Sequence, residues 1–156
     1  MRKTLIFLTL AVLLFALPAS SFAKDGYQFN ASASGVAGFS QKVSEKIGLF
    51  LKFTKTAKAG YLRTLLDKRL AELVWAADKN IDMVEETTSR YSTYAGHYTN
   101  FIADKDVAGE KEMAALLFDK HTEILADSQK KFEYDSAWWL SIQHDINTLR
   151  ILREKI

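Results

Sequence analysis

The amino-acid sequence predicts an all-α protein, an up-and-down antiparallel bundle of four or five helices. Three observations carry this. Pro18 is the only proline among the 156 residues, so no later segment is interrupted by one. Apolar residues recur at three- and four-residue spacing from Phe39 to the C-terminus. Nowhere does an alternating strand pattern or an internal repeat compete with that period.

The elements follow in order. Arg2 and Lys3 precede an apolar run from Leu5 to Leu17, broken only by Thr9, and Ser21 and Ala23 supply the small residues of a signal-peptidase site. Residues 1–23 are therefore expected to be a cleavable secretory signal, since a run this short falls below the ~20 residues needed to span hydrocarbon. Residues 24–38, with three glycines and no sustained period, read as a flexible N-terminal segment. The helical domain is placed at 39–156.

Within it, Phe39, Val43, Ile47 and Phe50 mark a first helix to about Phe53, with Thr54 as the cap of the next. Leu49, Phe50, Leu51 and Phe53 cannot all face one neighbour, so this turn is either central in the bundle or part of a contact surface. The second helix, Lys55 to Asp78, has the cleanest stripe: Leu62, Leu65, Leu66, Leu70, Leu73, Val74 and Ala77, with Arg63, Asp67, Lys68 and Glu72 turned away. A third helix runs to about Ile102 with Ile81, Val84, Thr88, Tyr91, Ala95, Tyr98 and Ile102 on one face. Residues 103–109 form a polar connection, and Glu110 opens a fourth helix bearing Met113, Leu117, His121, Ile124 and Leu125. Asp135-Ser136 starts the last, whose face is Trp138, Ile142, Ile146, Leu149 and Leu152.

Composition excludes several functions. Of 21 Lys and Arg, Arg2 and Lys3 belong to the leader, so the remainder carries 19 cations against 19 acids. A neutral mature chain offers no surplus positive field for a phosphate backbone or an anionic membrane surface, which argues against nucleic-acid binding as its main task. Without cysteine there is no disulfide framework, thiolate metal site or thiol nucleophile. His121 shares the stripe of Leu117 and Leu125, whereas His97 and His144 lie nearly opposite their helices' apolar faces. The three do not converge, and no Glu-x-x-His pair is present, so neither a metal nor any other cofactor is expected.

The block Lys58-Ala59-Gly60-Tyr61-Leu62-Arg63-Thr64-Leu65-Leu66-Asp67-Lys68-Arg69-Leu70-Ala71-Glu72-Leu73 resembles the "lA..RLaE" signature of domain of unknown function 5667, an uncharacterised envelope family. Tyr91 after Asp82-Met83-Val84, and the later Lys120-His121-Thr122-Glu123-Ile124-Leu125, are similar to that family's pattern. Gly35-Val36-Ala37-Gly38-Phe39 departs from it where a Pro and a Tyr are usual. The resemblance implies an exported helical domain and brings no catalytic or ligand residues. It makes Arg69, Leu70, Glu72, Tyr91 and His121 motif residues.

From the residues themselves, Arg69 and His121 are expected to hold the fold together, Arg69 through a carboxylate or carbonyls and His121 through one hydrogen bond, at about 1–3 kcal/mol for either alanine variant. Tyr91, Tyr94, Tyr98 and Phe101 form an aromatic ladder read as a helix interface, while Tyr94, Phe101, Trp138 and Trp139 are the candidates for an interaction surface. No paired acids or nucleophile–base set suggests catalysis. The expected function is a non-enzymatic exported module, periplasmic or extracellular, binding another envelope protein. The alternative is a chaperone-like bundle holding apolar clients, which needs a large exposed apolar patch.

Overall fold

The computed structural model describes residues 27–156, so the expected export signal at 1–23 lies outside the described residues. Five α-helices follow one another: α1 Phe39–Phe50, α2 Lys55–Lys79, α3 Val84–Lys105, α4 Glu110–Gln129 and α5 Ala137–Arg153, with a 3₁₀ turn at Ile81–Met83 leading into α3. Among the described residues there is no strand. The all-α bundle is the observed fold.

Local chemistry sets the helix ends. Thr54 caps α2, its hydroxyl accepting the Ala57 N–H at 3.1 Å, and Ser136 caps α5 by accepting from Trp139 at 3.2 Å. Between α3 and α4 the chain turns through two left-handed residues, Asp106 at φ 44° and Gly109 at φ 73°. Asp tolerates that region better than most side chains, and glycine adopts it freely.

The four long helices enclose the core. Leu62, Leu66, Leu70 and Leu73 of α2 meet Tyr91, Ala95, Tyr98 and Ile102 of α3, with Leu117, Phe118 and Leu125 of α4 and Ile142 and Leu149 of α5. Each such side chain contributes about 1.5–3 kcal/mol when fully buried, so this cluster dominates stability. Helix α2 also touches α1 and α4, besides its main partner α3. It is therefore surrounded, and its polar residues have neighbours as well.

That position corrects several expectations. Glu72 is buried, Asp67 is largely covered and Arg63 is half-buried, although all three were assigned to the outward face of α2. Residues 27–38, expected to be a flexible lead-in, run extended over the bundle, with Tyr27 and Phe29 packed against the core and Ala37 buried. Among the described residues, the packed body therefore includes the segment from Tyr27 onward. Ile81 and Trp138, placed on core faces by periodicity, are exposed, because the 3₁₀ turn and the first turn of α5 lie at the bundle's ends.

Helix α1 ends at Phe50, short of the expected Phe53, and of the two places open to its last turn it takes the outer one, with Phe50, Leu51 and Phe53 exposed while Leu49 packs against the core. Its one buried residue is Glu45, while Phe39 is 83 % exposed and Phe50 80 %, with Val43 and Ile47 exposed between them. At about 100° per residue Glu45 lies opposite that stripe, so burying one presents the other to solvent. The contact with α2 is close. A Cβ on Gly48 would stand 2.3 Å from the Tyr61 hydroxyl, which leaves room for glycine alone without a shift of Tyr61.

Candidate functional site

Two buried polar assemblies cross the bundle, both rooted in α2. In the first, Arg69 is fully buried and its Nη2 donates to Glu45 Oε1 of α1 at 2.6 Å, with Glu72 Oε1 3.2 Å away on its own helix. Lys68 reaches the same Glu45 oxygen at 2.9 Å. Glu72 in turn accepts the Ala37 backbone N–H at 3.2 Å and lies 3.4 Å from Arg90 of α3. The Tyr94 ring covers the Arg69 guanidinium at 5.0 Å, an arrangement the ring quadrupole favours. One arginine thus ties together the extended segment, α1, α2 and α3. Burial pushes the Glu72 carboxyl above its ordinary range against the pull of Arg69 and Arg90.

In the second, His121 of α4 is fully buried with both ring nitrogens engaged: Nε2 lies 3.0 Å from Asp67 Oδ1 and Nδ1 2.9 Å from the Tyr91 hydroxyl. Asp67 accepts a further bond from the Tyr27 hydroxyl on its other oxygen. A carboxylate can only accept, so these partners assign the proton to Nε2 and make Nδ1 the acceptor from Tyr91. Burial lowers the His121 pKa against the pull of Asp67, keeping the ring neutral. The rings of Tyr27 and Phe29 pack edge-on to the imidazole at 6.0 and 5.7 Å. No lone pair of the ring is left free for a substrate.

All five motif residues are accounted for. Arg69, Leu70, Glu72, Tyr91 and His121 are buried, and all but Leu70, a core side chain, belong to these assemblies. His97 and His144 are exposed, as periodicity placed them. Among the described residues no three His, Asp or Glu side chains stand close enough to hold a metal ion.

The residues proposed as an interaction surface divide. Tyr94 lines a groove with Phe39 and Val43 beside α1, and Phe101 lines another with Phe53 at that helix's far end. Trp138 packs with Phe132 and Trp139 with Tyr134, at the link between α4 and α5. With Phe53 88 % exposed just beyond α1, the exposed large apolar side chains of the described residues concentrate along α1 and the turn after it. No family model matches the chain, and neither a curated protein nor a solved structure does.

Sequence reasoning missed Glu45 and Asp145. Asp145 is buried on α5, accepts from the Ser92 hydroxyl and has no partner for Oδ2, and burial pushes its carboxyl up to about 7. Its place was legible, because it lies three residues after Ile142 and four before Leu149, on the same face.

Two outcomes follow. Arg69→Ala leaves Glu45 and Glu72 buried without their guanidinium, and His121→Ala strands Asp67 and Tyr91 around a cavity. Each is expected to cost about 3–5 kcal/mol in denaturant unfolding, above the range expected from periodicity, whereas His97→Ala stays within about 0.5 kcal/mol. Asp145 holds its proton more tightly folded than unfolded, so it lowers stability as pH rises from its ordinary 3.8 through about 7. Asp145→Asn removes that loss, and its melting temperature relative to the parent is expected to be highest above about pH 8. His121 acts with the opposite sign, since a depressed histidine pKa costs stability as pH falls below 6.5.

Proposed function

We propose that this protein is an exported, non-enzymatic binding module that docks on another component of the cell envelope through the apolar face of α1. The single observation supporting the reading is the orientation of that helix. Its Phe39, Val43, Ile47 and Phe50 are turned to solvent, although a helix with one apolar stripe ordinarily buries it. Contiguous exposed apolar area of this kind marks interaction surfaces. The closed hydrogen bonding of His121 and the buried ion pairing of Arg69 support a structural role for them, in keeping with a protein that binds and does not catalyse. We keep the likeness to domain of unknown function 5667 within this proposal, on its motif residues alone.

A client-holding role draws on the same exposed rings and is the second reading. The two separate in one experiment. Washed envelopes are expected to retain the purified protein, and the paired variant Phe50→Ser with Phe53→Ser to lose about tenfold or more in retention, since each ring returns to water. Equal retention of parent and variant would contradict docking, and suppression of aggregation by the parent alone would then favour client holding.

A further inference from the structure

Resting on the docking reading, we propose that the face presented by α1 and the following turn is an interfacial membrane anchor, and that its occupant is an anionic phospholipid surface. The first ground is charge. The neutrality of residues 24–156 conceals segregation: residues 39–58 hold five lysines, Lys42, Lys46, Lys52, Lys55 and Lys58, against one acid. That acid is Glu45, which is buried and already paired with Arg69 and Lys68. Every solvent-facing charge of the segment is therefore positive.

The second ground is where rings and cations lie relative to one another. Beside α1, Phe39, Val43 and Tyr94 share a groove with Lys42, Lys46 and Arg90, the only acid lining it being Glu86, 4.0 Å from Lys42. The Arg90 terminal nitrogens are buried, Nη1 lying 3.4 Å from Glu72, so the cations that this groove turns to solvent are Lys42 and Lys46. At the other end, Phe53 and Phe101 share a groove with Lys55, Lys58 and Lys105. Rings beside cations are what an acyl–headgroup boundary fits, apolar side chains entering the hydrocarbon edge while ammonium groups meet phosphates. Lying in the interface needs no spanning segment, and no helix of the described residues is long and apolar enough to cross a membrane.

The third ground is what the alternatives would meet. A second copy joined face to face about a two-fold axis would bring the lysines of one α1 against those of the other, a like-charge contact that disfavours association. The inward side of α1 is already committed through Glu45 and Gly48, which meet Lys68, Arg69 and Tyr61, and Lys52 just beyond the helix lies over the Tyr61 ring. The outward side alone is free, and it carries Phe39, Val43, Ile47 and Phe50 in one row.

The test is co-sedimentation of the protein, in the processed form recovered from its own envelope, with vesicles of equimolar phosphatidylglycerol and phosphatidylcholine, beside vesicles of phosphatidylcholine alone. Binding is expected to the anionic vesicles and to weaken as salt is added. Phe50→Ser with Phe53→Ser is expected to lose about tenfold or more. Lys46→Glu with Lys55→Glu is expected to lose about fivefold or more for each lysine reversed. None of the four side chains takes part in the buried assemblies, and unchanged circular dichroism of the variants verifies their fold. Binding no stronger to anionic than to neutral vesicles, or variants binding like the parent, would overturn the inference. So would a concentration-dependent dimer that the phenylalanine substitutions abolish. If those substitutions weaken retention on whole envelopes but leave the vesicle result negative, the lipid assignment fails while docking through α1 stands; if they change neither, both fail.

Discussion

The buried ion network around Arg69 is the constraint on which the rest of the arrangement depends. A guanidinium in a leucine-lined stripe cannot shed its charge, so it must be met by carboxylates. Glu72 comes from its own helix, but Glu45 comes from α1, and accepting from Arg69 at 2.6 Å fixes which side of α1 turns inward. The apolar stripe of α1 then has nowhere to go but out. The inverted helix follows from the pairing requirement of one residue two helices into the core.

Magnitudes show why this orientation calls for an occupant. Removing one partner from a buried pair costs about 3–5 kcal/mol, while burying a single phenylalanine contributes about 1.5–3 kcal/mol. Three strongly exposed phenylalanines with Val43 and Ile47 would together outweigh the ion pairs if hydrophobic burial within the chain decided the matter. The exposed stripe is thus unrealised burial, recovered only when another surface covers it. Since α1 touches the bundle through Glu45, Gly48 and Leu49, on the side away from the exposed stripe, that recovery does not require the core to change.

Much of the fold was legible in the sequence because periodicity reports burial directly where apolar packing decides. The stripes of α2, α3 and α4 located their helices, and the phase of His121 against Leu117 and Leu125 placed it inside while His97 and His144 fell outside. Periodicity fails where charge decides. Glu72 reads as solvent-facing and Glu45 gives no signal, because a lone acid shows no sign of a partner distant in sequence, and the place of the last turn of α1 stays open between core and contact surface for the same reason. The extended segment from Tyr27 has no period at all, since its attachment rests on single side chains, the Tyr27 hydroxyl on Asp67 and the Phe29 ring on His121. Trp138 and Ile81 failed at helix ends, where the stripe continues after the neighbouring helix has stopped.

The central claim is that α1 stands with Glu45 inward and its apolar stripe outward, and the absence of cysteine makes that directly measurable. Single variants Ile47→Cys, Phe50→Cys and Leu66→Cys each carry one thiol, whose labelling rate in dilute purified protein reports its exposure. Ile47→Cys and Phe50→Cys are expected to label at nearly the rate of the unfolded chain, with Leu66→Cys protected by the core. Protection of Ile47→Cys and Phe50→Cys comparable to that of Leu66→Cys would place the apolar stripe inside the bundle and contradict the account.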